Sequence, residues 1–209
     1  MIVISSCSSF DNLRFWKSDE VDIDEPKKLM SFSDEKALSI KWKNAYKGEN
    51  NMGSFIPDFS SQNLFFSDAS GKVLSLNANT GNENWSAELS FLASGTAAGF
   101  GIVAVSDIEG NVIALDQKDG SKLWSSNVKG EVLSKVAIDA QIVVVKTGSG
   151  ELLGLNKENG DIEWSYRSTL PLLTVRGSSS PVIVDDKVYV SFDNGRLGVF
   201  QINSGFLAR

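Results

Sequence analysis

The chain has no histidine and a single cysteine, Cys7, among its 209 residues. Without an imidazole it lacks the general base of Ser-His-Asp and Cys-His catalysis and the commonest zinc ligand. One thiol closes no disulfide within the chain and builds no thiolate cluster. Long apolar runs are missing as well. The "IVVV" stretch from Ile142 to Val145 has the length of a buried strand, far short of the roughly 20 residues of a membrane-spanning helix. Lys and Arg do not gather on any segment, and the formal charge is -6 with a pI near 4.8, so no nucleic-acid partner is expected. What remains is a composition of 42% hydrophobic and 22% charged residues, sufficient to bury a core in one or two domains.

The order in the chain is a repeat. "SGKVLSLNANTGNENW", "EGNVIALDQKDGSKLW" and "SGELLGLNKENGDIEW" superimpose, with Trp85, Trp124 and Trp164 spaced 39 and 40 residues apart. The turn glycines Gly81, Gly120 and Gly160 keep the same spacing, and a fourth copy, "NGRLGVFQINSGFLAR", aligns Gly205 with them and Arg209 with the tryptophans. Each copy reads as a strand, a turn with Gly71, Gly110, Gly150 or Gly195, a strand, a second turn and a strand ending at the tryptophan. Upstream lie the near-continuous apolar runs "NLFFSDA", "GIVAVSD", "QIVVVKT" and "KVYVSFD", which call for cover on both faces. With a further short strand such as "GTAAGFG" or "SKVAID", each repeat makes four antiparallel strands, the unit of a propeller blade.

The expected fold is therefore all-β, with about four blades: residues 52–89, 93–128, 130–168 and an incomplete fourth at 177–209. The recurring tryptophans belong in the wedges between neighbouring blades. Trp42 in "ALSIKWKNAYKG" has no blade before it, so residues 37–48 are expected to form an N-terminal ring-closing strand. Two closures are open on strand counting. Either the chain is half of a larger ring, or residues 39–46 pair with 196–202 to shut a ring of four blades.

The unit G-x-[VL]-x-x-L-[ND]-x-x-x-G-x-x-x-W over residues 52–209 resembles the repeat of pyrroloquinoline-quinone (PQQ) proteins. Within that group, "GEVLSKVAID" and above all "LPLLTVRGSSSP" (Leu170 to Pro181) resemble the BamB family, lipoproteins of the outer-membrane β-barrel assembly machinery. The resemblance implies an eight-bladed ring of which this chain is the N-terminal half, no catalysis and no cofactor. The partners it implies are BamA, the rest of the assembly complex and unfolded outer-membrane protein clients. The alternative is a fragment of a PQQ-dependent dehydrogenase, a family whose calcium-binding carboxylates and adjacent-cysteine disulfide find no match here.

The glycine spacing stretches to 45 residues between Gly160 and Gly205, and the added length falls at the loop 169–181. Loops normally expose polar groups, so an apolar triplet followed by a cation is out of place. Leu170, Leu172 and Leu173 either fold back as a plug or, stiffened by Pro171 and Pro181, face outward as a protein-binding patch. The resemblance implies the second, with Leu173, Val175 and Arg176 contacting BamA.

At the N-terminus, Ile4, Ser5 and Ser6 before Cys7 resemble a lipobox. That implies residues 1–7 as the end of a lipoprotein signal peptide, Cys7 as the lipidated residue, and a place on the periplasmic face of the outer membrane. A free thiol is the other reading. Residues 8–36, with Asp19, Glu20, Asp22, Asp24 and Glu25 and no sustained period, are expected to be a flexible acidic tether.

Overall fold

The computed structural model describes residues 39–46, 55–172 and 179–208. Its fifteen strands form four antiparallel sheets, and no helix occurs among the described residues. The first sheet is β1 (Asp58–Ser60), β2 (Asn63–Ser67), β3 (Lys72–Asn77) and β4 (Glu83–Glu88), in that spatial order. The second is β5 (Ala97–Gly99), β6 (Ile102–Ser106), β7 (Asn111–Asp116) and β8 (Lys122–Asn127). The third is β9 (Ala137–Ile138), β10 (Ile142–Lys146), β11 (Glu151–Asn156) and β12 (Ile162–Arg167). β13 (Val182–Val184), β14 (Lys187–Ser191) and β15 (Leu197–Gln201) make a three-stranded fourth sheet. Meandering order within each sheet and repetition from sheet to sheet are the propeller arrangement.

Local chemistry explains the turns. Asp68 Oδ1 accepts from the backbone N–H of Ser70 and Lys72, and Asp107 Oδ1 does the same for Glu109 and Asn111. The second turns use Asn77, Asp116 and Asn156 in the same way. Short polar side chains thus close these turns from within their own sequence.

The core is three wedges between successive sheets. Phe65, Val73 and Trp85 meet Val103, Val105 and Leu115 in the first. Ala104, Val112 and Trp124 meet Val143, Val145 and Leu155 in the second, and Ile142, Val144 and Trp164 meet Val188, Val190 and Phe200 in the third. Alternate residues of β10 therefore serve opposite wedges, which is why that strand carries no polar face. β14 departs from the expected cover on both sides: Val188 and Val190 are buried, but Tyr189 and Ser191 are exposed. They point away from the third sheet, and no described sheet lies beyond.

Residues 39–46 form no strand, in contrast to the strand expected over 37–48. Tyr46 nonetheless packs on the first sheet, its ring meeting Phe66 edge-on at 4.5 Å. Pairing of 39–46 with 196–202 is absent among the described residues. Leu207 bridges Phe200, and Ala208 N–H donates to Val199 O at 2.7 Å, so the chain's own continuation takes the edge of β15. The four-bladed closure is thereby removed.

Candidate functional site

The tryptophans and turn glycines come together in pairs, each pair bridging two sheets. The Trp85 indole donates to Gln117 O at 3.1 Å, Trp124 to Lys157 O at 2.7 Å and Trp164 to Ile202 O at 2.7 Å, each acceptor belonging to the second turn of the following sheet. In each case the ring lies against that turn's glycine: Trp85 on Gly120, Trp124 on Gly160, Trp164 on Gly205. Trp42 completes the series, donating to Ala78 O at 2.9 Å and covering Gly81. Trp85, Trp124 and Trp164 are inter-sheet clasps, buried and with their indole N–H groups occupied, so their rings are committed to packing.

The loop expected to bind a partner connects β12 to β13. Leu173, Val175 and Arg176 lie outside the described residues, as does Cys7. The described ends of the loop show how it is mounted. Ser168 N–H donates to Gly150 O at 2.9 Å, and Leu170 then rests half-buried against Gly150. Leu172 is fully exposed. The apolar stretch is thus divided: Leu170 folds back, as the plug reading expected, and Leu172 does not.

Both ends of the loop are tied to one hairpin of the fourth sheet, the leading end to its turn, Phe192 to Arg196, and the trailing end to Ser191, the last residue of β14. At the leading end, Asn194 Nδ2 donates to Thr169 O at 2.9 Å and to Ser168 Oγ at 3.1 Å. At the trailing end, Ser179 Oγ and Ser191 Oγ are 2.5 Å apart. Beneath them lies Lys146, 2% exposed, whose ammonium donates to Ser191 O at 2.8 Å and to Ser179 Oγ at 3.4 Å. Asp193 stands 3.8 Å from the ammonium, and the Phe192 ring centroid 5.9 Å. Burial pulls the Lys146 ammonium below the usual lysine range, and the Asp193 charge offsets part of that shift.

Next to the trailing end is a cleft of about 350 Å³ along the first strands of the sheets, walled by Ala97, Val136, Ile138, Pro181 and Ile183. Asp58 and Lys135 form its polar side. Asp58 Oδ2 accepts from Lys135 Nζ at 2.8 Å and from Ala98 N–H at 2.8 Å, so one carboxylate joins the first three sheets. Among the described residues no three His, Cys, Asp or Glu side chains converge as metal ligands would. Sequence reasoning missed Lys146 and the Asp58–Lys135 pair. The first had a signal, a lysine at a repeat position where other copies carry serine; the second had none, because its partners are distant in the chain.

The chain has counterparts among known proteins. The family model of outer membrane protein assembly factor BamB matches residues 69–208. The assembly factor BamB of Nitrosomonas eutropha is 33% identical over 98% of this chain and 52% of its own length. That of Vibrio cholerae is 38% identical over 72% of this chain and 40% of its own. The crystal structure of BamB from Moraxella catarrhalis superimposes with a TM-score of 0.67 at 21% identity, over 74% of this chain and 47% of that one, a likeness of fold. The chain spans about half the length of the curated relatives it matches.

Proposed function

The chain belongs to the family of outer membrane protein assembly factor BamB, and from that premise we propose that it is a non-enzymatic scaffold presenting the loop 169–181 to BamA. In this reading Leu173 and Val175 supply apolar anchoring, Arg176 supplies a charged donor, and binding supports the folding and insertion of outer-membrane β-barrel proteins. Cys7 carries the lipid that holds the protein to the periplasmic face of the outer membrane. The observation that carries the reading is the mounting of the loop. Both ends are hydrogen-bonded to one hairpin of the fourth sheet, and the loop's Leu172 is fully exposed, as a protein-binding patch on a fixed base requires.

The test is co-purification of BamA with the full chain and with Leu173→Ala and Arg176→Ala, with thermal unfolding of each measured alongside. Truncation of a hot-spot side chain commonly costs at least ~2 kcal/mol of binding, so each variant is expected to lose most of its BamA while keeping its melting temperature. Undiminished binding by both refutes the assignment of the surface.

A further inference from the structure

The last residue of the second strand in the first, second and fourth sheets is Ser67, Ser106 and Ser191; in the third it is Lys146. Where serine stands, its hydroxyl serves the segment leading into a first strand. Ser106 Oγ lies 2.6 Å from Ser94 Oγ and donates to Val132 O at 2.8 Å, and Ser191 Oγ meets Ser179 Oγ. Ser94, Ser134 and Ser179 each precede a first strand by three residues. Ser134 is therefore the residue that a serine at position 146 would pair with. Its hydroxyl is buried, at 2% exposure, and has no hydrogen-bond partner.

The lysine thus breaks the repeat in two ways that each carry a cost. It strands the Ser134 hydroxyl, and it places an ammonium where 3% of the side chain is accessible. Core packing alone does not call for this, since serine serves the same position in the other three sheets. Ser67 and Ser106 already bond the segment leading into the next sheet, at Ser94 O and Val132 O, and the lysine adds reach beyond it, to the last residue of the next sheet's second strand. Its ammonium crosses to the fourth sheet and bonds Ser191 O and Ser179 Oγ, the two groups that define the trailing end of the loop. The turn it braces also carries Asn194, which holds the leading end.

We propose that Lys146 is a positioning residue for the partner-binding loop, its buried ammonium fixing the trailing end at Ser179 and Ser191 beside the turn whose Asn194 holds the leading end. The proposal rests on the reading of that loop as the binding surface. It predicts that the lysine contributes to partner affinity without touching the partner, and that its effect on overall stability is small or of opposite sign.

Lys146→Ser restores the repeat residue and gives Ser134 a partner; Lys146→Met keeps the volume and removes the charge. Both are made in the full chain and measured by amide hydrogen exchange, thermal unfolding and BamA affinity. The expected result is exchange about tenfold faster at residues 168–170, 179, 180, 182 and 191–194, unchanged exchange in β6 and β7, a melting temperature held or raised in Lys146→Ser, and BamA binding weakened about tenfold, equivalent to about 1.4 kcal/mol. Unchanged exchange at the loop ends overturns the proposal whatever happens to binding. Faster exchange with undiminished binding also overturns it, and so does global unfolding of both variants, because the lysine would then be holding the sheets rather than the loop. Failure of the functional reading is distinguishable: the unaltered protein, or Leu173→Ala beside it, would then show no dependence of BamA binding on the loop, while the exchange measurement still reports on Lys146 alone.

Discussion

Replacing Gly160 by alanine separates backbone strain from clasp geometry, because the molecule supplies its own control. Gly160 sits at φ +79°, and a Cβ built there would lie 2.6 Å from Trp124 Cε3 and 2.9 Å from Cδ2. An L-residue held in the left-handed region costs about 1 to 2 kcal/mol. Forcing a methyl group into a packed contact costs about 1 to 3 kcal/mol more, and the ring has little freedom to retreat while its indole N–H is bonded to Lys157 O at 2.7 Å. The expected loss for Gly160→Ala is therefore about 2 to 5 kcal/mol. Gly195 has nearly the same backbone angle, φ +76°, but a Cβ there meets nothing within 4 Å. Gly195→Ala should cost the strain alone, about 1 to 2 kcal/mol. Urea unfolding of both variants gives the comparison, and a cycle with Trp124→Leu gives the coupling. In the leucine background the clash is gone, so Gly160→Ala should cost no more than Gly195→Ala does. Equal costs for the two glycine variants in the parent protein, or a coupling within about 0.5 kcal/mol of zero, would refute the clasp as the reason for the glycine.

Two further perturbations test other contacts between elements. Asp58→Ala leaves both Ala98 N–H and Lys135 without their acceptor and should lose about 1 to 3 kcal/mol in urea unfolding. Lys135→Met removes one partly exposed ion pair and should lose under about 1 kcal/mol; equal losses would show that the backbone bond contributes nothing. Tyr46 has its phenol pushed up to about 12, by burial first and then by the charges of Asp68, Glu88 and Glu83. An unfolded tyrosine ionises near 10.0, so the stabilisation is complete below that pH and is lost as pH rises toward 12. Tyr46→Phe should unfold with about the same stability at neutral pH, because the buried hydroxyl has no partner in good hydrogen-bond geometry and hydrogen bonding to the nearby Asp68 carboxylate adds only the smallest contribution to its raised pKa. The parent should then fall behind the variant above pH 10, and parallel stability curves through that range would show the phenol to be solvated.

Much of this architecture is readable along the chain because its causes are local. Asp68, Asp107 and Asn156 close turns with backbone groups two to four residues away, and the apolar runs report cover on both faces of a strand without reference to what provides it. The tryptophan and glycine spacing likewise identified the unit and its number of copies. Of the strand expected over 37–48, the described residues 39–46 form none, because a strand needs an edge to pair with, which a residue pattern does not supply; Trp42 still makes the clasp of the repeat.

Sequence by itself determined the all-β class, the four copies, the positions of their turns and the place where the repeat is interrupted. Only the tertiary structure decided which sheet each tryptophan serves. It clasps the turn of the next sheet rather than filling its own, because the ring projects from an outer strand across the wedge to a glycine 35 to 41 residues further on. The Asp58–Lys135 contact and the reach of Lys146 to Ser191 were decided the same way. Charge and hydrogen-bonding capacity are properties of a residue, legible anywhere in a chain. Whether a buried ammonium meets an acceptor depends on how sheets distant in sequence dock, and that is set by the packing of all three wedges at once.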